Sequence, residues 1–454
     1  MQMLVKDIVK ACNGVLLCGD PETVITSVET DSRLIEPGAL FVPIIGQKTD
    51  AHQYIQQTFD KGAVAALTQE HTSMKDSAHC WIYVEQTQDA LQQIATVYRN
   101  QFQVPVVGVT GSVGKTSTRE MIALALSAEK NVMQTKGNSN SQIGLPLTMF
   151  QFEEEHTAAV IEMGISEFGE MKRLVHIAQP NYAVVTNIGI AHIEQLKTRE
   201  HIMHEKLKIA DAFDEYSIMF LNGDDEMLAS ICETTTLPVV YYGTQPWCTY
   251  RAEDIQTDGM KTTFTVHTPT YTSKVTLPVL GIHNVLNALS AIAVAQTMRL
   301  NLDKVVEKLN EYQPPEMRQT VYHIDDITVI DDSYNASPDS VKSGIDVLCS
   351  LPNQGKKIAV LADMMELGDM SEQAHFDTGV AVGSTLTDVL ITVGPRAVKI
   401  AEGAISVKPD MTVVMCKNNQ EAIHVLKEIV KKEDAMMIKG SRSMKTDEIV
   451  KAFL

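Results

Sequence analysis

Short apolar runs alternate with amphipathic stretches along this chain, a pattern that marks βαβ units and parallel sheets rather than an all-β or all-α protein. Strand candidates at 24–30, 39–45, 63–68 and 81–85 precede a helical stretch at 89–100. A boundary falls near 101–104. A new strand–helix unit opens at 105–109, and strand candidates continue at 158–163, 182–186, 217–221, 239–242 and 264–267. Past the Ala-rich helix 284–298 and Tyr312-Gln313-Pro314-Pro315, strands are predicted at 328–331, 358–361, 389–393, 412–416 and 435–438. The expectation is an α/β protein of three domains: a smaller N-terminal one (1–102), a central parallel sheet (103–313) and a doubly wound C-terminal domain (314–454). A chain of 454 residues is too long for one ordinary core, which agrees.

Composition narrows the function. With 44% hydrophobic and 21% charged residues the chain is globular, and no apolar run approaches the roughly 18 residues of a membrane span. The start has no basic patch followed by an apolar stretch, so it does not read as a secretion signal, and a cytoplasmic protein is expected. Seven scattered cysteines offer no close pair at metal-ligand spacing and read as reduced thiols. A net charge of −19 opposes a nucleic-acid groove or an anionic membrane surface. Any anionic ligand must therefore be held by local donors.

Gly108-Val109-Thr110-Gly111-Ser112-Val113-Gly114-Lys115-Thr116 lies between an apolar strand and a helix with Met121, Ile122, Leu124 and Ala125 on its buried stripe. In that setting glycines let backbone N–H groups approach phosphate oxygens, Lys115 neutralises β/γ charge and the Thr116 hydroxyl can ligate Mg²⁺. The spacing departs from the standard phosphate loop, because Val109 stands where the first glycine is usual. Even so, the central domain reads as P-loop-type and the protein as an ATP-consuming enzyme. Ligands of open α/β sheets sit beyond the carboxyl ends of the strands, so Glu162 and His192 could reach the same spot. Taken singly, either would be an ordinary polar residue. On the helix predicted at 199–213, Lys206 shares a face with Ile202, Met203, Ile209 and Ala210 and points inward, whereas Lys208 falls with His204, Glu205 and Asp211 on the solvated side. An inward lysine must meet an acid, lose its proton, be chemically modified or snorkel from the rim.

The loop 110–116, Gly137-Asn138-Ser139-Asn140, Glu162-Met163-Gly164, Asn187-Ile188-Gly189-Ile190-Ala191-His192 and Gly281-Ile282-His283-Asn284-Val285-Leu286-Asn287 occur in this order. Through them the chain resembles the Mur ligases of peptidoglycan precursor synthesis over almost its whole length. Thr30-Asp31-Ser32-Arg33, Gly38-Ala39-Leu40-Phe41-Val42-Pro43 and Gly46-Gln47-Lys48-Thr49-Asp50-Ala51-His52 resemble the uridine-diphosphate domain shared by the last two ligases of that pathway. The segments 331–340 and Met365-Glu366-Leu367-Gly368 resemble the final one. Ala51, Ser337 and Ala362-Asp363-Met364 depart from the family's usual residues.

The resemblance implies a Rossmann-like C-terminal domain and an ATP- and Mg²⁺-dependent ligase joining D-alanyl-D-alanine to UDP-N-acetylmuramoyl-tripeptide through an acyl phosphate. It implies nucleotide contacts from Thr110, Gly111, Ser112, Val113, Gly114, Lys115, Thr116, Ser117 and Asn138, from His283, Asn284 and Asn287, and from Arg318, Asp332, Tyr334 and Asn335 closing over the nucleotide. Thr116 and Glu162 would hold one Mg²⁺, and His192 with a carbamylated Lys206 would help hold a second. Lys115, Glu162, His192 and Lys206 would carry the catalysis. Ser32, Arg33, Gln47, Lys48, Thr49, Asp50 and His52 would meet the uridine-diphosphate substrate. A monomer with hinge closure at the Arg318 segment is expected, with no nucleic-acid partner and no membrane insertion. Without the family, residues 283–287 would be a helix N-terminus with an Asn cap, and 332–335 a polar turn. Folylpolyglutamate synthase is the neighbouring alternative, though its loop would show Gly-Lys-Gly-Ser where this chain has Gly114-Lys115-Thr116-Ser117. A nucleotide-dependent switch without ligation is the alternative from another class.

Overall fold

The computed structural model describes residues 1–454 except 47, 77, 233, 234 and 353. Three mostly parallel sheets follow one another along the chain. The first orders Val15–Cys18, Cys80–Tyr83, Ala65–Thr68, Ala39–Phe41 and Ser27–Glu29, with only the first pair antiparallel. The strand predicted at 24–30 is split. Val24–Ile25 pairs with Met3–Leu4 in a separate ribbon, and only Ser27–Glu29 joins the larger sheet.

Nine strands form the central sheet. Tyr250–Asp258, Val239–Gly243, Ile218–Asn222, Tyr182–Val185, Val106–Thr110, Ala158–Glu162 and Val132–Gln134 run parallel in that order, and Lys261–His267 and Thr272–Leu277 extend it antiparallel. Val106–Thr110 is buried throughout because both faces are covered: Val107 and Val109 point into one apolar cluster, Val106 into the other. The helices Lys115–Leu126 and Ile282–Thr297 share the first of these faces, through Met121, Ile122, Val285 and Leu289. The second face is continuous with the core of the N-terminal sheet, so Ile8, Leu91 and Ile161 belong to one cluster. Helix Thr87–Arg99 joins the two, with the Tyr98 hydroxyl donating to the Phe152 carbonyl and Arg99 Nε to that of Ala178.

The third sheet orders Thr320–Ile324, Ile327–Asp332, Ala435–Lys439, Lys357–Ala362, Val389–Val393 and Thr412–Cys416, parallel except for the first hairpin. That hairpin turns on Asp325 and Asp326, at φ 45° and 67°, the left-handed pair a two-residue turn requires. Helices Ser371–Gly383 and Val398–Val407 cross in close contact. A methyl group on Gly379 would stand 2.0 Å from the Ile400 carbonyl oxygen, and one on Gly403 would stand 2.1 Å from that of Phe376. Gly379→Ala should therefore cost about 1–3 kcal/mol despite alanine's better helix propensity. An unchanged denaturant midpoint would show that the helices have room to part.

Candidate active site

The strand order places the ends of Ala158–Glu162, Val106–Thr110 and Tyr182–Val185 side by side, so the segments leaving them meet. The loop after Val106–Thr110 is sewn to its neighbour. Ser112 N–H donates to the Asn187 carbonyl (3.0 Å) and Val113 N–H to Asn187 Oδ1 (2.9 Å), while the Thr186 hydroxyl donates to the Val113 carbonyl (2.6 Å). Gly111 permits the approach, since a methyl group there would lie 1.8 Å from Thr186 Oγ1. Gly114, at φ 87°, turns the chain into the helix Lys115–Leu126, whose first amides receive no side-chain cap. Uncapped first-turn N–H groups are anion donors.

Two lysines converge on this loop. Lys115 Nζ donates to the Gly111 carbonyl at 2.9 Å, and Lys206 Nζ, from helix Arg199–Leu207, donates to the same oxygen at 3.0 Å. Lys206 is 2% exposed; burial, then the charge of Lys115, holds its pKa well below the usual lysine value. Burial also lowers Lys115, against the attraction of Glu162. The helix ends at Leu207 and continues as a single 3-10 turn, and Lys208 is partly exposed as the face count predicts. Its partner Glu205 is buried, however, accepting from Lys208 and from the Gly169 and Met171 amides.

Glu162 is buried, with Arg119 Nη1 on Oε2 at 3.1 Å and Asn140 Nδ2 on Oε1 at 2.6 Å. It shares a cleft of about 1180 Å³ with Lys115, Thr116 and His192. Ser112, Val113, Gly114, Ser117 and Asn138 line it too, as do His283, Asn284 and Asn287 from one helix and Arg318, Asp332, Tyr334 and Asn335 from the third domain. His283 Nε2 meets Gln319 Oε1 at 2.9 Å, bridging the central helix to the segment entering the third domain. Arg318 stacks on Tyr334, 4.1 Å from the ring centre, and Asp332 is paired with the buried Lys439 at 2.7 Å. Thr110, Gly111 and Lys206 lie under the loop rather than on the cleft wall, and the Thr110 hydroxyl is buried without a partner among the described residues. Ser32, Arg33, Lys48, Thr49, Asp50 and His52 do not line this cleft. Arg33 is exposed beside Asp31, and His52 is pinned to Asp50 at 2.6 Å; Gln47 lies outside the described residues.

The sequence matches the Mur ligase middle domain over 109–295, the glutamate ligase domain of Mur ligases over 317–442 and the Mur ligase catalytic domain over 24–105. It is 37% identical over 451 residues to the UDP-N-acetylmuramoyl-tripeptide–D-alanyl-D-alanine ligase of Bacillus subtilis, covering 98% of this chain and 97% of that one. The chain belongs to the Mur ligase family. The Escherichia coli ligase of the same name is 31% identical over 439 residues, 94% of this chain and 93% of that one. Among solved structures, the fold superposes on MurF from Acinetobacter baumannii with a TM-score of 0.91 at 28% identity, covering 100% and 99% of the two chains. MurF from Thermotoga maritima in complex with ADP gives 0.83 at 27% identity over 94% and 96%.

Within this Mur ligase the groups that sequence reasoning passed over are mostly charges that neutralise other charges. Arg119 looks like a surface residue but sits three before Ile122 on the buried stripe, a spacing that could have exposed it. Lys439, after an apolar run, ends a strand in register with the one that ends at Asp332, which the family likeness had marked. Gln319 carries no sequence signal. Burial pushes the His283 imidazole down to about 4, and its Nδ1 is buried with no partner among the described residues. Below about pH 6.5 the unfolded chain takes up a proton that folded His283 refuses until about pH 4, so folding weakens as pH falls through that window. Relative to His283→Asn, the native protein should lose up to about 1.4 kcal/mol per pH unit there. Parallel stability curves for the two proteins would contradict the buried, neutral imidazole.

Proposed function

We propose that this chain is the ATP-dependent ligase that joins D-alanyl-D-alanine to UDP-N-acetylmuramoyl-tripeptide, giving the pentapeptide precursor of peptidoglycan with release of ADP and phosphate. The observation that carries the reading is the gathering of Lys115, Thr116, Glu162 and His192 in one cleft roofed by Arg318, Asp332 and Tyr334, in a chain alike over its full length to ligases of that name. Amide formation from a carboxylate needs its oxygen converted into a leaving group, and ATP provides it. The tripeptide's terminal carboxylate attacks the γ-phosphorus to form an acyl phosphate. The dipeptide amine then attacks the acyl carbon, and the tetrahedral adduct expels phosphate.

The uncapped helix N-terminus and Lys115 receive the β- and γ-phosphates, and their positive charge balances what develops in transfer. A hydroxyl, a carboxylate and an imidazole around one cleft suit a hard divalent cation, with Thr116 and Glu162 at one Mg²⁺ and His192 at a second. Bound there, the ions would polarise the phosphoryl oxygens and spread negative charge. Lys206 as a plain amine is no ligand for magnesium. Its burial and depressed pKa favour the neutral amine that captures carbon dioxide, and the carbamate would supply the missing oxygen ligand and set a negative charge beside Lys115. His283, Asn284 and Asn287 flank the nucleoside, and the third domain folds over it as a hinge-borne lid. Residues 1–102 hold the uridine diphosphate through Ser32, Arg33, Gln47, Lys48, Thr49, Asp50 and His52.

No helix among the described residues is long and apolar enough to cross a membrane, and we place the reaction in the cytoplasm, on a single chain. The match of residues 24–105 to a Mur ligase domain favours this activity over folate ligation. Incubation with ATP, Mg²⁺, D-alanyl-D-alanine and UDP-tripeptide should yield UDP-pentapeptide by mass; ADP release without it would leave only the switch. Lys115→Ala should cut turnover at least about 100-fold in a folded protein. Lys206→Ala should lose a similar factor and be partly restored by added formate or acetate, and an unimpaired Lys206→Ala enzyme would refute the carbamate.

A further inference from the structure

The Met365-Glu366-Leu367-Gly368 segment has no part in the chemistry so far, yet it touches the loop that carries His192. Three contacts from the third domain hold that loop. Asp339 accepts from the Ile190 amide, and a methyl group on Gly189 would lie 2.1 Å from its Oδ2. Gly368, at φ 51°, lies against Glu194, leaving 3.2 Å for a side chain it lacks. Between them, Glu366 Oε2 stands 2.6 Å from His192 Nδ1.

Both partners of this last contact adopt left-handed backbone, His192 at φ 61° and Glu366 at φ 63°. That conformation is unfavourable for a residue with a side chain. It occurs on both sides of one interdomain contact, where it aims imidazole and carboxylate at each other. An imidazole whose Nδ1–H is held by a carboxylate presents the Nε2 lone pair, the arrangement that orients metal-bound histidines. Among the described residues Nε2 has no hydrogen-bond partner.

We propose that Glu366 is a positioning residue that fixes the His192 ring from across the domain boundary, so that the second metal site is complete only when the third domain is docked. The proposal rests on the reading of His192 as a metal ligand given above. Closure then does more than exclude water: it delivers the group that orients a ligand, and an open enzyme holding ATP is left with a poorly formed second site.

The test uses the full chain with Mn²⁺ and a non-hydrolysable ATP analogue, free Mn²⁺ being read by electron paramagnetic resonance. Glu366→Ala should weaken the weaker of two Mn²⁺ sites by about 10- to 100-fold, leaving the tighter site, nucleotide affinity and melting temperature unchanged. Glu366→Gln, whose amide oxygen can still accept from Nδ1, should recover most of the loss. If His192→Ala loses the second ion while Glu366→Ala binds it as the native protein does, Glu366 does not position the ring. If His192→Ala also binds Mn²⁺ normally, the metal role of His192 fails, and the proposal with it.

Discussion

A buried amine and a half-buried one share one carbonyl oxygen, and the rest of the molecule is arranged around that demand. Lys115 and Lys206 both donate to Gly111, while Glu162, the acid that attracts Lys115, already holds Arg119, and Glu205, the acid that attracts Lys206, already holds Lys208. In a protein of net charge −19 this pocket is locally cationic and short of anions. Burial makes such an imbalance costly, and an anionic ligand or an acidic modification relieves it. The closeness of the loop to its neighbour makes the arrangement rigid: with no side chain at Gly111 the loop lies against Thr186, so the carbonyl that receives both lysines cannot swing away.

The strand order makes the pocket, and the third domain finishes it. Val106–Thr110 runs between the strands that end at Glu162 and Val185, so the 111–116 loop, the acid and the His192 loop leave the sheet together. The side of the cleft lined by His283 and Arg318 is built from pairs that cross or follow the domain junction: His283 with Gln319, Arg318 on Tyr334, and Asp332 with Lys439. Each pair is buried or half-buried and fixes geometry, and the two that include Arg318 and Lys439 place charge as well. The contacts of Asp339, Glu366 and Gly368 with residues 189–194 join the two domains on the His192 side of the cleft.

Much of this could be read in the residues. Apolar runs located the parallel strands of the third sheet and most of those of the central one to within a few positions, because strands covered on both faces are apolar at nearly every position, but the three-residue edge strand Val132–Gln134 is too short and too mixed to show. The face count on 199–213 found the buried Lys206. The same reasoning failed where the pattern is polar. Tyr250–Asp258, the last parallel strand before the antiparallel edge of the central sheet, Thr272–Leu277 on that edge and Thr320–Ile324 carry exposed or half-buried side chains and were not foreseen as strands. The buried ion pairs were hidden for a related reason: Arg119, Glu205 and Lys439 look like surface residues until the partner brought by the fold is known. Residues 30–52 illustrate the limit from the other side. Family likeness selects them, and they are bonded within their own domain, as Asp50 to His52, His52 to the Gln69 amide and the Ser32 carbonyl to Lys61, but none of the described ones lines the cleft that holds Lys115.

The proposed seat of the triphosphate is the 112–116 loop and helix N-terminus, with Lys115 released from the Gly111 carbonyl to meet it. A crystal structure with a non-hydrolysable ATP analogue and Mg²⁺ addresses this directly. It should show the Lys115 ammonium moved from the carbonyl to the β- and γ-phosphate oxygens, with Thr116 and Glu162 around an ion. A triphosphate bound elsewhere in the cleft, with both lysines still on Gly111, would contradict it.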